Sequence, residues 1–319
     1  MSERRGASRR AGGGAEYHAP VMVEEVLEYL APERGGDFFD GTVGGGGHAE
    51  AILEAGPDAR LIGADRDPEA LAVARERLLR FGERVRLELA GFAEAAARVA
   101  VPLAGALLDL GVSSHQIDAL ERGFSFREGA PLDMRMGGAG AERATAAELL
   151  NTLPEAELQR IFREYGEERR WRALAREIVR RRGHRRLETS DDLVAVLFKV
   201  RGPRTSAQDK ARIFQAVRIA VNQEIEQLDL ALALLLDRLG PGGVFVILSY
   251  HSLEDRRVKQ AFRDWSRDCV CPPELPVCGC RGVALGETLT RRPRRPGESE
   301  CAANPRARSA RLRAWRKAA

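Results

Sequence analysis

The chain has 319 residues, 44% of them hydrophobic and 31% charged, with a formal net charge of +4. That length suits two domains, or one domain carrying a large insert, and the composition is that of an ordinary globular protein. No run of eighteen apolar residues occurs, which argues against a membrane-spanning helix. The Arg/Gly/Ser-rich start has no hydrophobic core segment, which argues against a secretory signal and predicts a solvated basic terminus over 1–16. Both points read as cytoplasmic.

The distribution of charge says more than the total. Residues 160–218 hold 17 Lys/Arg against 8 Asp/Glu, and residues 281–319 hold 11 against 3, while most of the remainder is acidic. Such segregation suggests an acidic body with basic surfaces for a polyanion, although solvated helix faces and a charged tail would give the same counts.

Taken in chain order, Asp37–Asp40 reads as a strand, followed by a turn with four consecutive glycines, Gly44 to Gly47, and a helix from His48 to Ala55. Arg60–Ala64 is a second strand ending at Asp65. Asp67 caps a helix with Pro68 at its first position, a pairing that suits a helix start. Val85–Leu89 alternates as a third strand. Ala106–Leu108 is wholly apolar, hence central, and ends at Asp109. From Ile117 to Ala220 the periodicity is helical, clearest over Glu155–Glu164, Glu167–Arg182 and from Ser190 to Val200. One long helix is then predicted from Ala207 to Leu239, halted by Pro241-Gly242-Gly243, with a buried strand over Val244–Leu248. The fold class is α/β: a doubly wound, mostly parallel sheet, its domain split into 17–116 and 221–319 by an all-helical insert at 117–220.

The glycine turn between first strand and first helix allows a ligand to approach the backbone. Gly44-x-Gly46-x-x-Ala49, with Asp65 about twenty residues on, satisfies a loose dinucleotide fingerprint, so a nicotinamide oxidoreductase is one reading. Two acids favour S-adenosylmethionine instead. Asp40 precedes the turn, where a carboxylate attracts the cationic methionine end of that donor but repels a pyrophosphate. Asp109 closes the fourth strand beside the crevice where open α/β sheets bind ligands. A non-catalytic RNA-binding assembly factor is the reading from another class.

Cys269-x-Cys271 and Cys278-x-Cys280 flank Pro272-Pro273, with Cys301 apart. Four thiolates so close can bind zinc, but C-x-C is a less usual spacing than C-x2-C, and the reading taken from sequence is reduced thiols with no metal.

Longer blocks carry a family resemblance: His18-Ala19-Pro20-Val21-Met22, Asp40 to His48, Asp65-Arg66-Asp67-Pro68, Leu108 to Ser114, and Arg122-Gly123-Phe124-Ser125-Phe126. Pro131 to Met136, Tyr165 to Arg169, Phe214 to Arg218, His251 to Arg256 and Asn304 to Ser309 complete the set. From about His18 to Arg313 the chain resembles the RsmH (MraW) family of 16S ribosomal RNA cytosine-N4 methyltransferases. The resemblance implies a class I, Rossmann-like methyltransferase fold and methylation of a decoding-centre cytosine in the small ribosomal subunit, with S-adenosylmethionine as cofactor. It also implies cofactor contacts from Gly46, Gly47, His48 and Asp65, with Phe92 by the adenine and Asp109 and Gln116 closing the site. Two positions depart from the family pattern: His115 stands for a usual Pro, and Tyr250 for a frequent Phe.

For the chemistry, Asp109 is the best-placed acceptor for a cytosine amino group, with His251 and Asp255 as second candidates. Ser113, Ser114, Arg169, Arg218, Asn304 and Arg306 are the expected substrate contacts, joined by Arg170 and Arg172 on the basic face. Homo-oligomerisation is left open by the sequence.

Overall fold

A computed structural model describes residues 20–269, 271, 277, 279–280 and 282–319. Its organising element is a sheet of seven strands: β1 (Gly36–Asp40), β2 (Ala59–Asp65), β3 (Val85–Leu89), β4 (Leu103–Asp109), β5 (Leu239–Ser249), β6 (Gly286–Thr288) and β7 (Arg311–Lys317). The spatial order is β3-β2-β1-β4-β5-β7-β6. β1 to β5 pair in parallel, and β7 lies antiparallel between β5 and β6. This is the class I methyltransferase arrangement.

Why these segments become central strands is legible in their side chains. Ala106, Leu107 and Leu108 in β4 and Phe245 to Leu248 in β5 are wholly buried, as strands covered on both faces must be. The chain leaves β1 toward β2, while β4 lies on the other side of β1. The crevice at this reversal therefore opens between the carboxyl ends of β1 and β4, where Asp40 and Asp109 sit. Gly41, the first residue after β1, must be glycine for packing reasons: a Cβ there would come within 2.8 Å of side-chain atoms of Leu108, Phe92 and Phe39.

The segment between β4 and β5 is largely helical, with helices Ala146–Thr152, Glu155–Glu164, Trp171–Arg182, Ser190–Arg201 and Ala207–Asn222. Their apolar faces, including Leu158, Phe162, Ile178, Val196 and Val217, form a core separate from the two that flank the sheet. Three expectations are corrected here. The helix predicted to run from Ala207 to Leu239 is two helices, Ala207–Asn222 and Glu224–Arg238, separated by Gln223 in the left-handed region (φ 52°, ψ 42°). Both halves are amphipathic, so the pattern runs through the break. The break is required because buried Asn222 turns inward, its amide donating to Met134 O at 2.7 Å and accepting from Met136 N at 2.9 Å. The helix expected from Glu167 starts only at Trp171. Glu167 has a positive φ of 43°, and the buried carboxylate of Glu168 is taken by Arg201 and by the Arg170 N–H. The Pro-Gly-Gly stop lies inside β5, which begins at Leu239 with a register shift against β4.

A residue with a Cβ held in the left-handed region costs about 1–2 kcal/mol, which glycine avoids at an entropic cost of roughly 0.5–1 kcal/mol. Gln223 is exposed. Gln223→Gly is therefore expected to raise stability by up to about 1 kcal/mol in urea unfolding, and Gln223→Val to lower it by at least as much. Equal midpoints for the two variants would contradict the strained-break account.

Candidate active site

The glycine turn is positioned by three strand ends. Asp65, closing β2, accepts from Gly44 N (2.9 Å) and Asp67 N (2.9 Å), which ties the turn to the start of the next helix. Asp109, closing β4, receives the hydroxyl of Tyr250 on Oδ1 at 2.8 Å, and its own N–H donates to Thr42 Oγ1 at 2.6 Å. His48 is buried, with Nε2 2.9 Å from Val21 O and Nδ1 3.8 Å from Asp109 Oδ2. Donation from Nε2 to the carbonyl leaves Nδ1 facing the carboxylate. Burial and the neighbouring Asp109 raise the Tyr250 phenol's pKa, so it stays protonated and donates.

These strand ends open into a cavity of about 430 Å³. Gly44, Gly45, Gly47, His48, Asp65 and Phe92 line it, together with Asp109, Ser113, Ser114, Gln116 and His251 and with Arg218, Asn304 and Arg306. Most residues singled out from sequence thus meet in one space. Gly46 does not: it is the left-handed cap (φ 85°) of helix Gly47–Ala55, set against Leu78 and Ala74, and the cavity wall is made by its neighbours instead. Arg169 is exposed and away from the cavity. Asp255 is held by Arg313 (2.7 Å) and Arg311 (3.1 Å), a brace between the helix Ser252–Trp265 and β7, and does not line the cavity.

Several wall residues are already engaged. Gln116 donates to Asp67 (2.8 Å) and Met136 O (3.3 Å) and accepts from Ser113 N, so its carboxamide holds the loop and presents only its flank. Ser113 and Gln116 form a complete capping box, and His115 in place of proline leaves that geometry intact. Arg218 grips Glu224 through Nε and Nη2, both at 2.8 Å, and Arg306 grips Asp118 at 2.7 and 3.0 Å. His251 caps the helix Ser252–Trp265 in a box with Glu254, and its Nε2 lies 2.9 Å from Glu254 Oε1 without hydrogen-bond alignment. Burial pushes Glu254 up, but His251, Arg218 and the Tyr250 N–H together bring its pKa below the ordinary value, so it stays charged.

Asp40 departs from expectation in an informative way. It is buried and does not reach the cavity wall; Oδ1 accepts from Thr42 N, and Oδ2 has no partner. Burial lifts its pKa to about 7, with nearby Asp109 and Asp65 adding to the rise. Burial likewise raises Asp65 and Asp109. Asp65 and Asp109 on the wall, with Asp40 buried behind them, are three carboxylates whose ionisation a cationic ligand favours and a pyrophosphate opposes. The donor set therefore fits a sulfonium-bearing amino acid nucleoside: backbone at Gly44 and Gly45, a carboxylate at Asp65 for ribose hydroxyls, and the Phe92 ring for a base.

Comparison with known proteins now bears on this geometry. The MraW methylase family model matches residues 15–318. This chain belongs to that family. A ribosomal RNA small subunit methyltransferase H of Gemmatimonas aurantiaca is 54% identical over 316 residues, covering 98% of each chain. A protein of the same name from Geobacter sp. strain M21 is 51% identical over 306 residues, covering 93% of this chain and 97% of its own.

Within this MraW methylase, some site residues escaped sequence reading. Glu224, partner of Arg218, lies six residues on, across a helix break that periodicity cannot register. Arg66, whose guanidinium sits 5.9 Å from the Phe92 ring and donates to Asn222 O, carried only the signal of its place beside Asp65. Arg122 and Asp67 form a buried pair at 2.9 Å, and Met136 O takes a further bond from Arg122.

The raised Asp40 pKa has a signed consequence. An unfolded Asp titrates near 3.9. The folded state therefore holds a proton that the unfolded state releases, and the contribution of Asp40 to stability is greatest below pH ~4 and falls as pH rises toward about 7. The loss over that window is on the order of 3–4 kcal/mol. Asp40→Asn, which keeps the acceptor for Thr42, should make the unliganded protein more stable by a few kcal/mol at pH 8 and by nothing at pH 4. Urea titrations at the two pH values check this; a pH-independent difference would show that the carboxylate is not the origin.

Proposed function

We propose that this chain transfers a methyl group from S-adenosylmethionine to the exocyclic N4 of a cytosine in the 16S ribosomal RNA of the small subunit, in the cytoplasm. One observation carries the reading: a single cavity joins the glycine turn and its acids to Asp109, His251, Arg218, Asn304 and Arg306. Donor and acceptor then share one space. Among the described residues no helix is long and apolar enough to cross a membrane.

Bound in this cavity, the cofactor supplies a methyl group on a sulfonium centre, so the protein's task is to orient the acceptor and exclude water. Asp65 and the Gly44–Gly45 backbone would hold the nucleoside end, and Phe92 would offer its ring to the base. Cytosine N4 is a weak nucleophile because its lone pair is delocalised into the ring. Asp109 Oδ2, the oxygen not taken by Tyr250, accepts an N4–H and increases the nitrogen's electron density. Its raised pKa makes it a better recipient of the proton released on transfer. Tyr250 is the positioning residue that fixes which oxygen does this. His251 also lines the wall, but its Nδ1 accepts from the Glu254 N–H as the cap of the following helix.

Arg218 and Arg306 are neutralised locally by Glu224 and Asp118, so they act as oriented donors to the nucleotide and add little net attraction. Asn304 accepts from Arg306 N and holds that arginine's loop at the wall. Long-range attraction comes from exposed arginines of the insert such as Arg169. A base in structured RNA must be unstacked first, at a few kcal/mol, which phosphate contacts offset in a salt-dependent way.

The test is incubation of the full chain with labelled donor and small subunits that lack the modification, followed by mass mapping of the RNA. The expected product is one N4-methylcytidine. Asp109→Asn should lower the rate by about 10²–10⁴-fold while the fold is retained. Arg169→Ala should raise KM and flatten the salt dependence with kcat unchanged. Methylation at a ring carbon or a different base, or full activity of Asp109→Asn, would overturn the assignment.

A further inference from the structure

The connection 266–285 leaves the helix Ser252–Trp265 and returns to β6 at nearly the point where it began. Leu285 N donates to Trp265 O at 2.8 Å, and Ala284 N to Asp268 Oδ1 at 3.2 Å. Beneath it is a firm platform: Trp265 lies edge-on to Trp315 of β7 with centroids 5.1 Å apart, and Phe262 packs 5.5 Å from Trp265. Of its described residues, Val277 is 78% exposed and Val283 61% exposed. Small elements that bury little apolar surface obtain order from disulfides or metals.

The closed base brings cysteines from both arms together. The Sγ atoms of Cys269, Cys271 and Cys280 lie within 4.8 Å of one another. Cys269 and Cys271 come from the outgoing arm and Cys280 from the returning arm, with Cys280 Sγ 4.0 Å from Asp268 O. Around a tetrahedral zinc with Zn–S bonds of about 2.3 Å, sulfurs stand roughly 3.8 Å apart, so the observed spacing needs only a small contraction. Cys278 lies outside the described residues and is not counted.

We propose that Cys269, Cys271 and Cys280 form a structural zinc site that clamps this connection over the Trp265–Trp315 platform. This reverses the reading taken from spacing alone. C-x-C is unusual as an isolated motif, but the hydrogen-bonded base supplies the convergence that C-x2-C turns normally provide. On binding, each thiol gives up its proton to solvent and the thiolate sulfur donates an electron pair to the metal, with no change of oxidation state. None of the three cysteines lines the cavity, so the site orders the fold and takes no part in methyl transfer.

The test uses the full chain, purified under reducing conditions without a metal-affinity step, and reads zinc by elemental analysis. The expected content is about one zinc per chain, falling at least fivefold in Cys271→Ser/Cys280→Ser. Because that variant can fail to fold, the parent protein is also stripped and reloaded with cobalt, where thiolate-to-cobalt charge-transfer absorption is expected. Background zinc in the reduced protein together with no such absorption overturns the proposal. So does an unchanged zinc content in the folded variant, which places the metal elsewhere, or a Cys271–Cys280 disulfide found by mass spectrometry in the reduced preparation.

Discussion

Three acids closing three neighbouring strands set the terms for everything around them. Asp65, Asp40 and Asp109 end β2, β1 and β4, which are adjacent in the sheet, and burial makes ionisation costly for each. The turn after β1 takes its observed shape as its N–H groups at Thr42 and Gly44 donate to the carboxylates of Asp40 and Asp65, while Thr42 Oγ1 accepts from the Asp109 N–H. One oxygen, Asp40 Oδ2, is left without a partner behind the turn. A unit of positive charge seated in front of the turn offsets that cost in a way that a neutral or anionic ligand does not. The preference for a sulfonium donor over a dinucleotide thus originates in the cost of ionising these buried acids.

The helical insert contributes to this site as well as to any outer surface. Arg218, at the end of helix Ala207–Asn222, reaches the cavity wall and is locked by Glu224 from the helix beyond the Gln223 break. Arg122 and Gln116 both converge on Asp67, the cap of the helix that follows β2. A substrate surface built on the insert is consequently registered against the cofactor side by buried, directional bonds. Such bonds are costly to break one at a time.

Much of this was legible in the chain. The strand ending in Asp109 stood out as a wholly apolar run that stops at an acid, those ending in Asp40 and Asp65 as short apolar stretches beside turn residues, and the Asp67-Pro68 start was read from capping chemistry alone. What the chain did not show has more than one physical cause. Periodicity reports which face of a residue is apolar and says nothing about a backbone reversal between two amphipathic segments, so the Asn222–Gln223 break went unseen, and with it Glu224. Gly46 was assigned to ligand contact because glycine serves both close approach and left-handed caps. Only coordinates separate those uses. Arg306 and Arg218 were read as bare positive charge because their carboxylate partners, at Asp118 and Glu224, are joined to them by tertiary geometry.

The bonds that run from Asp67 through Gln116 and Arg122 to Met136, and from Met136 to Asn222, form one unbroken buried chain between the glycine-turn side and the insert. A displacement of the insert relative to the glycine-turn side would have to break these bonds or carry all of them along, so the two halves of the cavity wall keep a fixed spacing at the cost of several buried polar contacts.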